Sequence, residues 1–281
     1  MQKIAVLTDS GSDLTLDELK KNKIEFAPFK VIYSTGEFED KIDLSPEKVY
    51  ADLDKEIPTT SLPSTARIEN ILNKLEEEGY THVIAVTISS GLSGTSNSIR
   101  LALEDHPKLI SHVFDTKILS MAEGALVLNA AELVKEGKTF EEIIDELPKL
   151  RKKTYGYFTI NTLEYLRKGG RIGKVAGTIG EILNLKPIIS VDDEGVYYTF
   201  AKVRGRKQSI NKLLKIAKEH LDKSKCKVWV LNGGSSYEEF NPFFEAVSKL
   251  HNIESIAPAT IGPALGVHTG PGLLGLVFQE V

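Results

Sequence analysis

Short apolar runs alternate with longer stretches of helical spacing through the first half of the chain. Residues 83–86 form a continuous apolar run, whereas residues 65–78 repeat apolar side chains every three or four positions. Such runs are typical of strands buried on both faces of a parallel sheet, and such spacing is typical of an amphipathic helix. The pattern predicts an α/β fold with a mainly parallel sheet flanked by helices. The predicted extended segments are residues 3–7, 25–33, 81–86 and 111–114.

Side chains that cap helices mark where several of the predicted helices begin. In a capping box, two side chains three residues apart satisfy each other's free N–H groups. Such pairs are Thr15 with Glu18 and Thr139 with Glu142. Ser45 before a proline and Ser64 before residues 65–78 give the same kind of signal. Residues 58–64, rich in hydroxyls and prolines, are predicted to form a loop that ends at Ser64. Further helices are predicted from Ser96 and from residue 119 to residue 135.

The pattern changes after Lys152 and Lys153, where a charged stretch ends a helix. Residues 192–195 separate two runs rich in β-branched and aromatic side chains, which is a hairpin signal. Helices are predicted over residues 162–168 and 207–221 and after Ser236. The sequence therefore predicts an N-terminal α/β domain over residues 1–152 and a mixed α/β domain over residues 153–281. The strands predicted in the second domain are residues 155–160, 187–191, 196–200, a run around Trp229, 253–257 and 275–279.

Composition narrows the class of protein. The 281 residues are 41% hydrophobic and 26% charged, with a formal net charge of -4. A mildly acidic chain is a poor match for a nucleic-acid binder, whose surface is usually basic. The single cysteine, Cys226, lies in an apolar run and is predicted to be a buried structural residue. No apolar run is long enough to cross a bilayer and no leader is visible at the N-terminus, so we expect a cytoplasmic protein.

Four polar clusters stand at predicted strand or helix ends. They are Asp9-Ser10, Thr60-Ser61, residues 89–95, and His268 in a glycine-rich segment predicted to be a loop. In open α/β sheets, ligands lie beyond the carboxyl ends of the strands. The turn at residues 89–95 also opens a helix, whose first N–H groups have no internal partner and attract anions. A binding site between the two domains follows as the prediction.

Two other interpretations of these clusters remain open. Ser93 could be the nucleophile of a serine esterase or thioesterase, with His268 as base and Asp9 or Asp115 as the orienting acid. Against this, Thr95 occupies the place of the last glycine in the Gly-x-Ser-x-Gly elbow. The hydroxyls could also simply cap helices and turns, as Ser and Thr do routinely.

Metal and nucleotide chemistry find no support in the sequence. The histidines are not spaced as ligand pairs, and no phosphate-binding glycine loop follows a strand. We therefore predict that the chain has no metal or cofactor and cannot bind ATP by itself. The six histidines are His82, His106, His112, His220, His251 and His268.

Five segments together resemble the DegV family of bacterial fatty-acid-binding proteins. They occur in the expected order and extend over almost the whole chain. One departure is Leu62, where the family usually has glutamine, so a polar contact from that position is not expected here. The segments are Thr8-Asp9-Ser10, residues 60–64, residues 89–95, residues 166–172, and Ile261-Gly262-Pro263 through His268 to residues 270–272.

The resemblance implies a two-domain α/β protein that holds a long-chain, palmitate-like fatty acid between its domains. Carried onto this sequence, Ser61 and Ser93 would bind the carboxylate, with Thr60 and His268 close by. The family further implies a non-catalytic subunit of a bacterial fatty acid kinase. A separate ATP-dependent subunit would phosphorylate the bound carboxylate, giving an acyl phosphate for phospholipid synthesis.

Two further expectations accompany this interpretation. Candidate residues for lining the acyl tail are residues 122–133, 182–185 and 273–276, although core packing would explain them equally well. The head group is expected to need neutral hydroxyl donors more than a fixed cation. Basic residues including Arg171 and Arg204 would either dock the kinase subunit, touch an anionic membrane surface transiently, or form a solvated face.

Overall fold

A computed structural model describes residues 2–178 and 184–281 of the chain. Its strands are β1 (Ile4–Asp9), β2 (Ile24–Ala27), β3 (Lys30–Tyr33), β4 (Gly36–Glu39), β5 (Thr59–Ser61), β6 (His82–Thr87), β7 (Ile110–Asp115), β8 (Thr154–Thr159), β9 (Ile188–Val191), β10 (Tyr197–Ala201), β11 (Cys226–Gly233), β12 (Ile253–Thr260) and β13 (Leu273–Glu280). Its helices are α1 (Leu16–Lys21), α2 (Pro46–Asp52), α3 (Thr65–Glu77), α4 (Thr95–Glu104), α5 (Met121–Lys135), α6 (Phe140–Lys152), α7 (Glu164–Lys168), α8 (Arg206–Leu221), α9 (Tyr237–Ser248) and α10 (Pro263–Thr269).

The first half contains the predicted parallel sheet, with strand order β2-β1-β6-β7. Alternate residues of a strand point to opposite faces, and both faces of this sheet are covered. Ala5 and Leu7 of β1 pack with α3 and α4, whereas Ile4 and Val6 pack with α5 and α6. The predicted fold class is therefore confirmed for this half of the chain.

The predicted helix starts of the first half are confirmed in detail. In both capping boxes the Thr hydroxyl accepts from the Glu N–H at 3.2 Å, and the Glu carboxylate accepts from the Thr N–H at 2.8 Å. Ser45 and Ser64 also cap the helices that follow them. At α9 the prediction was only half right, because Ser236 is the N-cap residue but its side chain forms no capping hydrogen bond.

The second half is a mixed sheet, as predicted. Its strand order is β10-β9-β8-β13-β11-β12, and only β11 and β12 run parallel. The hairpin at residues 192–195 joins β9 to β10 in antiparallel order. Helices α8 and α9 pack on one face of this sheet. Cys226 is buried in the same apolar cluster as the residues of these helices, as predicted. The opposite face turns toward the first half of the chain.

A three-stranded antiparallel sheet, in the order β4-β3-β5, was not predicted. Pro28 ends β2, so the single extended segment expected over residues 25–33 is two strands in different sheets. The prediction of a loop at residues 58–64 was wrong, because Thr59–Ser61 forms β5. Its only strand partner among the described residues is β3, about 30 positions earlier, and no local pattern encodes that pairing.

The glycine-rich loop predicted around His268 is also a correction, because Pro263–Thr269 is helix α10. Proline at the first helical position favours this start. The two N–H groups at the start are bound by distant carboxylates: Gly262 donates to Asp13 at 2.8 Å and Ala264 donates to Asp40 at 3.3 Å. These partners come from the first half of the chain, so the capping signal is absent from the local sequence.

The two halves share one apolar core. Helix α6 ends at Lys152 and β8 begins at Thr154, so the expected boundary falls between two elements. One cluster nevertheless joins Ile84 and Leu126 of the first half to Phe158 and Leu231 of the second. The division into domains at residue 152 stays a prediction. Within residues 2–178 and 184–281, no helix is long and apolar enough to cross a membrane.

Candidate functional site

A cavity of about 210 Å³, here called the mouth cavity, lies where the two halves meet. It is open to solvent at one side, and its walls combine hydroxyls with large apolar side chains. Its lining residues are Phe29, Thr60, Ser61, Leu62, Ile88, Leu92, Ser93, Leu119, Arg171, Tyr197, Ala264, Leu265 and His268.

Five polar side chains of this cavity form what we call the polar rim: Thr60, Ser61, Ser93, Arg171 and His268. Four separate elements bring them together. Thr60 and Ser61 come from β5, Ser93 from the turn before α4, Arg171 from the loop after α7, and His268 from α10. The structure thus gathers all four residues predicted to bind a carboxylate at one cavity, and it adds one cation.

His268 is neutral in this setting. Its Nε2 lies 2.7 Å from Thr60 Oγ1, and its buried Nδ1 has no hydrogen-bond partner among the described residues. Burial, together with the nearby charge of Arg171, lowers the pKa of His268 to about 4. Gly169 makes room for the ring, since a Cβ at that position would lie 2.1 Å from Nδ1. In the tautomer that carries its proton on Nε2, this N–H donates a hydrogen bond to Thr60 Oγ1. The Thr60 hydroxyl can then donate its own proton to a ligand.

Ser93 stands directly before an uncapped helix. Its Oγ lies 2.8 Å from Thr95 Oγ1, and the N-cap residue of α4 is Gly94, which offers no side-chain acceptor. Four helices of the same half, α1, α2, α3 and α6, begin with a side-chain cap. The first N–H groups of α4 therefore keep their partial positive charge beside the Ser93 hydroxyl, which suits an anion.

Ser61 and Leu62 lie at the exposed edge of the cavity. Ser61 Oγ donates only to the carbonyl of Leu62, at a long 3.3 Å. The Leu62 side chain is 37% exposed and reaches toward Gly94, where a Cβ would lie 3.6 Å from Leu62 Cδ1. The leucine thus gives this part of the mouth an apolar surface.

Arg171 is a rim residue that sequence reasoning placed elsewhere. It was expected on a docking surface, but it is half-buried and lines the mouth cavity. Its Nε donates to the Leu92 carbonyl at 3.3 Å and its Nη1 to the Gly169 carbonyl at 2.7 Å. Only its place in the segment of residues 166–172 hinted at a site role. Arg204 is exposed and does not line this cavity, so docking through it stays a prediction.

The contacts do not assemble the alternative serine-hydrolase triad. His268 Nε2 is engaged by Thr60 rather than Ser93, and none of the described carboxylates bonds to its ring. Asp9 accepts from the N–H groups of Gly11 and Ile88. Asp115 accepts from Ser90 N and pairs with Lys117 at 2.8 Å. Both candidate acids are thus committed to other partners, and the geometry gives the histidine no orienting acid.

The Asp9-Ser10 cluster does not reach the cavity. Asp9, Asp13, Asp40 and Glu123, with Lys41 as their cation, form what we call the acidic cluster, and its carboxylates are at most 5% exposed. Burial raises the pKa of Asp9 to about 7 and that of Asp40 to about 6. Burial also raises the pKa of Asp13, and it raises the pKa of Glu123 well above the ordinary value. These groups mainly hold backbone N–H groups in place.

A second, smaller space continues inward from the mouth. This inner cavity, of about 40 Å³, shares Leu119, Tyr197 and Leu265 with the mouth cavity. Of the five hydroxyl-bearing residues in its lining, Ser120, Ser190 and Thr269 donate to protein acceptors and Tyr157 bonds to His220, so most of its surface is apolar; the fifth is Tyr197. The two cavities together give a polar entrance and an apolar interior.

Only part of the lining set expected from the sequence faces these cavities. Of the α5 residues 122–133, Ala122 lines the inner cavity, and of residues 273–276, Leu273 does. Leu274 and Leu276 pack on the opposite face of the sheet, with α8 and α9. In the third expected segment, residues 182 and 183 lie outside the described ranges. Across the described part of the chain, no group of His, Cys, Asp or Glu is arranged to hold a metal ion.

Comparisons with known proteins agree over the whole chain. A sequence profile of the DegV family, described as uncharacterised proteins, matches residues 3–281. A DegV domain-containing protein of Clostridium perfringens is 52% identical over 280 residues, which cover 100% of this chain and 99% of that protein.

Two solved structures match closely in shape. One, from Thermus thermophilus, is described as fatty acid binding of a DegV family protein; it has a TM-score of 0.92 and 29% identity, with 100% of both chains covered. The other, a stearic acid-binding protein from Eubacterium ventriosum, has a TM-score of 0.86 and 30% identity over 100% of this chain and 98% of that one.

Proposed function

The chain belongs to the DegV family, and on this premise we propose that it binds a long-chain fatty acid between its two halves. The observation that carries the proposal is the pairing of the two cavities, a polar rim at the mouth and an apolar space behind it. A fatty acid has the same division, with one charged end and a long apolar tail. The described functions of the two solved structures support the same ligand class.

The carboxylate is proposed to lie at the polar rim. Thr60, Ser61 and Ser93 supply hydroxyl donors, and the uncapped start of α4 supplies N–H groups. Neutral His268 orients the Thr60 hydroxyl through the contact at 2.7 Å. The arrangement favours an anion without closing a bidentate ion pair around it, because two of the Arg171 nitrogens already bond to backbone carbonyls.

The tail is proposed to extend past Leu119, Tyr197 and Leu265 into the inner cavity. Each methylene removed from water contributes about 0.8 kcal/mol, so a palmitate-length tail offers on the order of 10 kcal/mol. This is enough to retain the ligand firmly even though binding itself has an entropic cost. The inner cavity, of about 40 Å³, is smaller than such a tail, so the side chains that line it must move apart when the tail enters.

The proposal extends to a non-catalytic role in a fatty acid kinase. The sequence has no nucleotide-binding glycine loop, and none of the described carboxylates orients His268. We therefore assign the phosphoryl transfer to a separate ATP-dependent subunit. The mouth cavity is open, and a carboxylate held there is accessible to such a partner. The product would be an acyl phosphate, used for phospholipid synthesis, and the protein would work in the cytoplasm.

The fatty acid proposal is tested by removing one donor at a time. Ser93→Ala and Thr60→Val should each weaken palmitate binding about tenfold, because a hydrogen bond to a charged group contributes roughly 1.5–3 kcal/mol. Ser98→Ala, on the helix that follows Ser93 but outside the cavity, is the matched control. Affinity is measured by competition against a fluorescent fatty acid. Equal affinity in all four proteins would contradict the assignment of the polar rim.

The kinase proposal is tested through Arg204. Arg171 is unsuitable for this purpose, because reversing its charge would also disturb the polar rim. Arg204→Glu should abolish complex formation with the ATP-dependent subunit of the same organism and leave palmitate binding unchanged. Lys20→Glu, on exposed α1, is the control. Analytical ultracentrifugation of the mixture measures the amount of complex. If Arg204→Glu forms as much complex as the wild type, docking through Arg204 is wrong.

Membrane contact is the other role proposed for the basic residues. If an anionic surface attracts Arg204 while lipid is exchanged, Arg204→Glu should slow fatty acid transfer to vesicles that contain phosphatidylglycerol. Transfer to neutral phosphatidylcholine vesicles should not change.

A further inference from the structure

A third space lies at the far end of the inner cavity. This far groove, of about 420 Å³, opens to solvent on the side of the molecule formed by the end of β7, the end of α6 and the start of β8. Four residues line both the inner cavity and the far groove: Ile118, Gly156, Ser190 and Val191. The two spaces are therefore separated by a single layer of residues.

That layer is thin because two of its members are small. Gly156 has no side chain, and the hydroxyl of Ser190 is turned onto the Gly156 carbonyl at 2.8 Å. A Cβ added at Gly156 would contact Ala122 and Val277, which both line the inner cavity. Gly156 thus lies where the inner cavity gives way to the far groove.

The far groove can accept an apolar chain end. Phe114, Pro148 and Tyr155 contribute apolar surface to it; its lining also includes the charged residues Asp115, Lys117, Lys152 and Asp193, of which Asp115 and Lys117 pair at 2.8 Å. The guanidinium of Arg151 also lines the groove, but its Nε, Nη1 and Nη2 donate to the carbonyls of Thr116, Thr154 and Lys117. Its charge is held against the backbone, which leaves the aliphatic stem to cover apolar contacts.

We propose that the far groove is a second acyl subsite, which takes the methyl end of fatty acids too long for the inner cavity. The inference rests on the proposed fatty acid binding and adds to it what determines the length of acyl chain that the protein accepts. Chain length is then decided at the Gly156–Ser190 layer and not by a closed end. Acids of ordinary length stay within the inner cavity, and longer acids pass the layer into the far groove.

Gly156 offers a clean test, because its backbone conformation is not left-handed and a Cβ there would meet its nearest neighbours at 3.8 and 3.9 Å. Gly156→Ala should therefore fold, while narrowing the passage. Gly177→Ala is the matched control, since its conformation is also ordinary and a Cβ there would meet no atom of the described residues within 4 Å. The ligands are palmitate and docosanoate, and the readout is the dissociation constant of each for the wild type and both variants.

The wild type should bind both acids. Gly156 also lines the inner cavity, so the deciding quantity is the ratio of the two affinities: Gly156→Ala should weaken docosanoate binding about tenfold more than it weakens palmitate binding, the contribution of roughly two buried methylenes. Gly177→Ala should match the wild type for both. The inference is overturned if the wild type binds palmitate but rejects docosanoate, or if Gly156→Ala weakens both acids equally. A wild type that binds neither acid would instead remove the proposed function itself.

Discussion

The polar rim and the acidic cluster are both groups of polar side chains drawn partly from strand ends, yet they differ in what they bond to. Rim side chains are partly exposed, and Ser93 and Thr60 bond only to other side chains. Acidic-cluster carboxylates are at most 5% exposed, and three of the four accept backbone N–H groups. Polarity at a strand end therefore does not identify a binding group by itself. A binding group also needs unused hydrogen-bonding capacity that a ligand can reach, which the buried Oδ2 of Asp40 and Oε2 of Glu123 lack.

The acidic cluster instead positions the elements that carry the rim. Asp9 joins the end of β1 to Ile88, in the segment that leads to Ser93. Asp13 and Asp40 hold the start of α10, which carries His268. One region should therefore control stability and the other should control binding, and the following changes test that division.

The largest effect is expected from Asp13→Ala. This change removes the acceptor of Gly262 N and Ser120 Oγ and takes from Lys41 its nearest counter-charge, 3.4 Å away. Breaking a buried pair of this kind costs about 3–5 kcal/mol in free energy of unfolding. Urea denaturation at neutral pH measures the loss.

Asp54→Ala is the control, because Asp54 is exposed and should change stability by less than about 0.5 kcal/mol. Ser93→Ala should behave in the opposite way to Asp13→Ala, with weaker binding and near-normal stability. If Asp13→Ala proved as stable as Asp54→Ala, the positioning role of the acidic cluster would be wrong.

An intermediate effect is expected from the pH dependence of His268→Asn. In the wild type the pKa of His268 is about 4, below the ordinary value of 6.5. Between these two values, His268 is protonated in the unfolded chain but not in the folded chain. The free energy of unfolding therefore falls as the pH drops from 6.5 toward 4. His268→Asn lacks this contribution.

The acid loss of unfolding free energy between pH 7 and pH 4.5 should thus be about 2 kcal/mol larger in the wild type than in His268→Asn. Urea titrations at both pH values provide the comparison. The raised pKa values of Asp9 and Asp40 act in the opposite direction but are common to both proteins. Identical acid losses would show that His268 is protonated in the folded protein at pH 4.5.

The smallest effect is expected from Leu62→Gln. The side chain lies at the exposed edge of the mouth cavity, so little apolar contact is lost and any new hydrogen bond competes with water. Palmitate affinity should change by no more than about threefold, or roughly 0.7 kcal/mol. A change of tenfold or more, in the same competition measurement, would place residue 62 in direct contact with the carboxylate.

Local signals predicted much of this structure. Thr15 with Glu18, and Thr139 with Glu142, fixed helix starts because both partners lie within one turn. The apolar runs of β1 and β6 predicted a sheet covered on both faces, which the structure confirms. The four hydroxyl and imidazole groups expected near one another do line a single cavity.

What the sequence did not predict depends on distant partners. β5 is a strand only because β3 pairs with it, and α10 is capped by Asp13 and Asp40, which lie 249 and 224 positions away from their partners. The place of Arg171 in the mouth cavity was not predicted for a similar reason, and docking through it stays a prediction. Its position in the rim depends on the carbonyls of Leu92 and Gly169 and not on the charges beside it in sequence.

The central claim, that the polar rim holds a carboxylate and does not attack an ester, is tested most directly by native mass spectrometry of the purified protein after incubation with a fluorophosphonate. We expect one noncovalently bound fatty acid for each chain, a lower occupancy in Ser93→Ala, and no covalent adduct. A lipid-free protein with a fluorophosphonate adduct on Ser93 would contradict the account and establish a serine hydrolase.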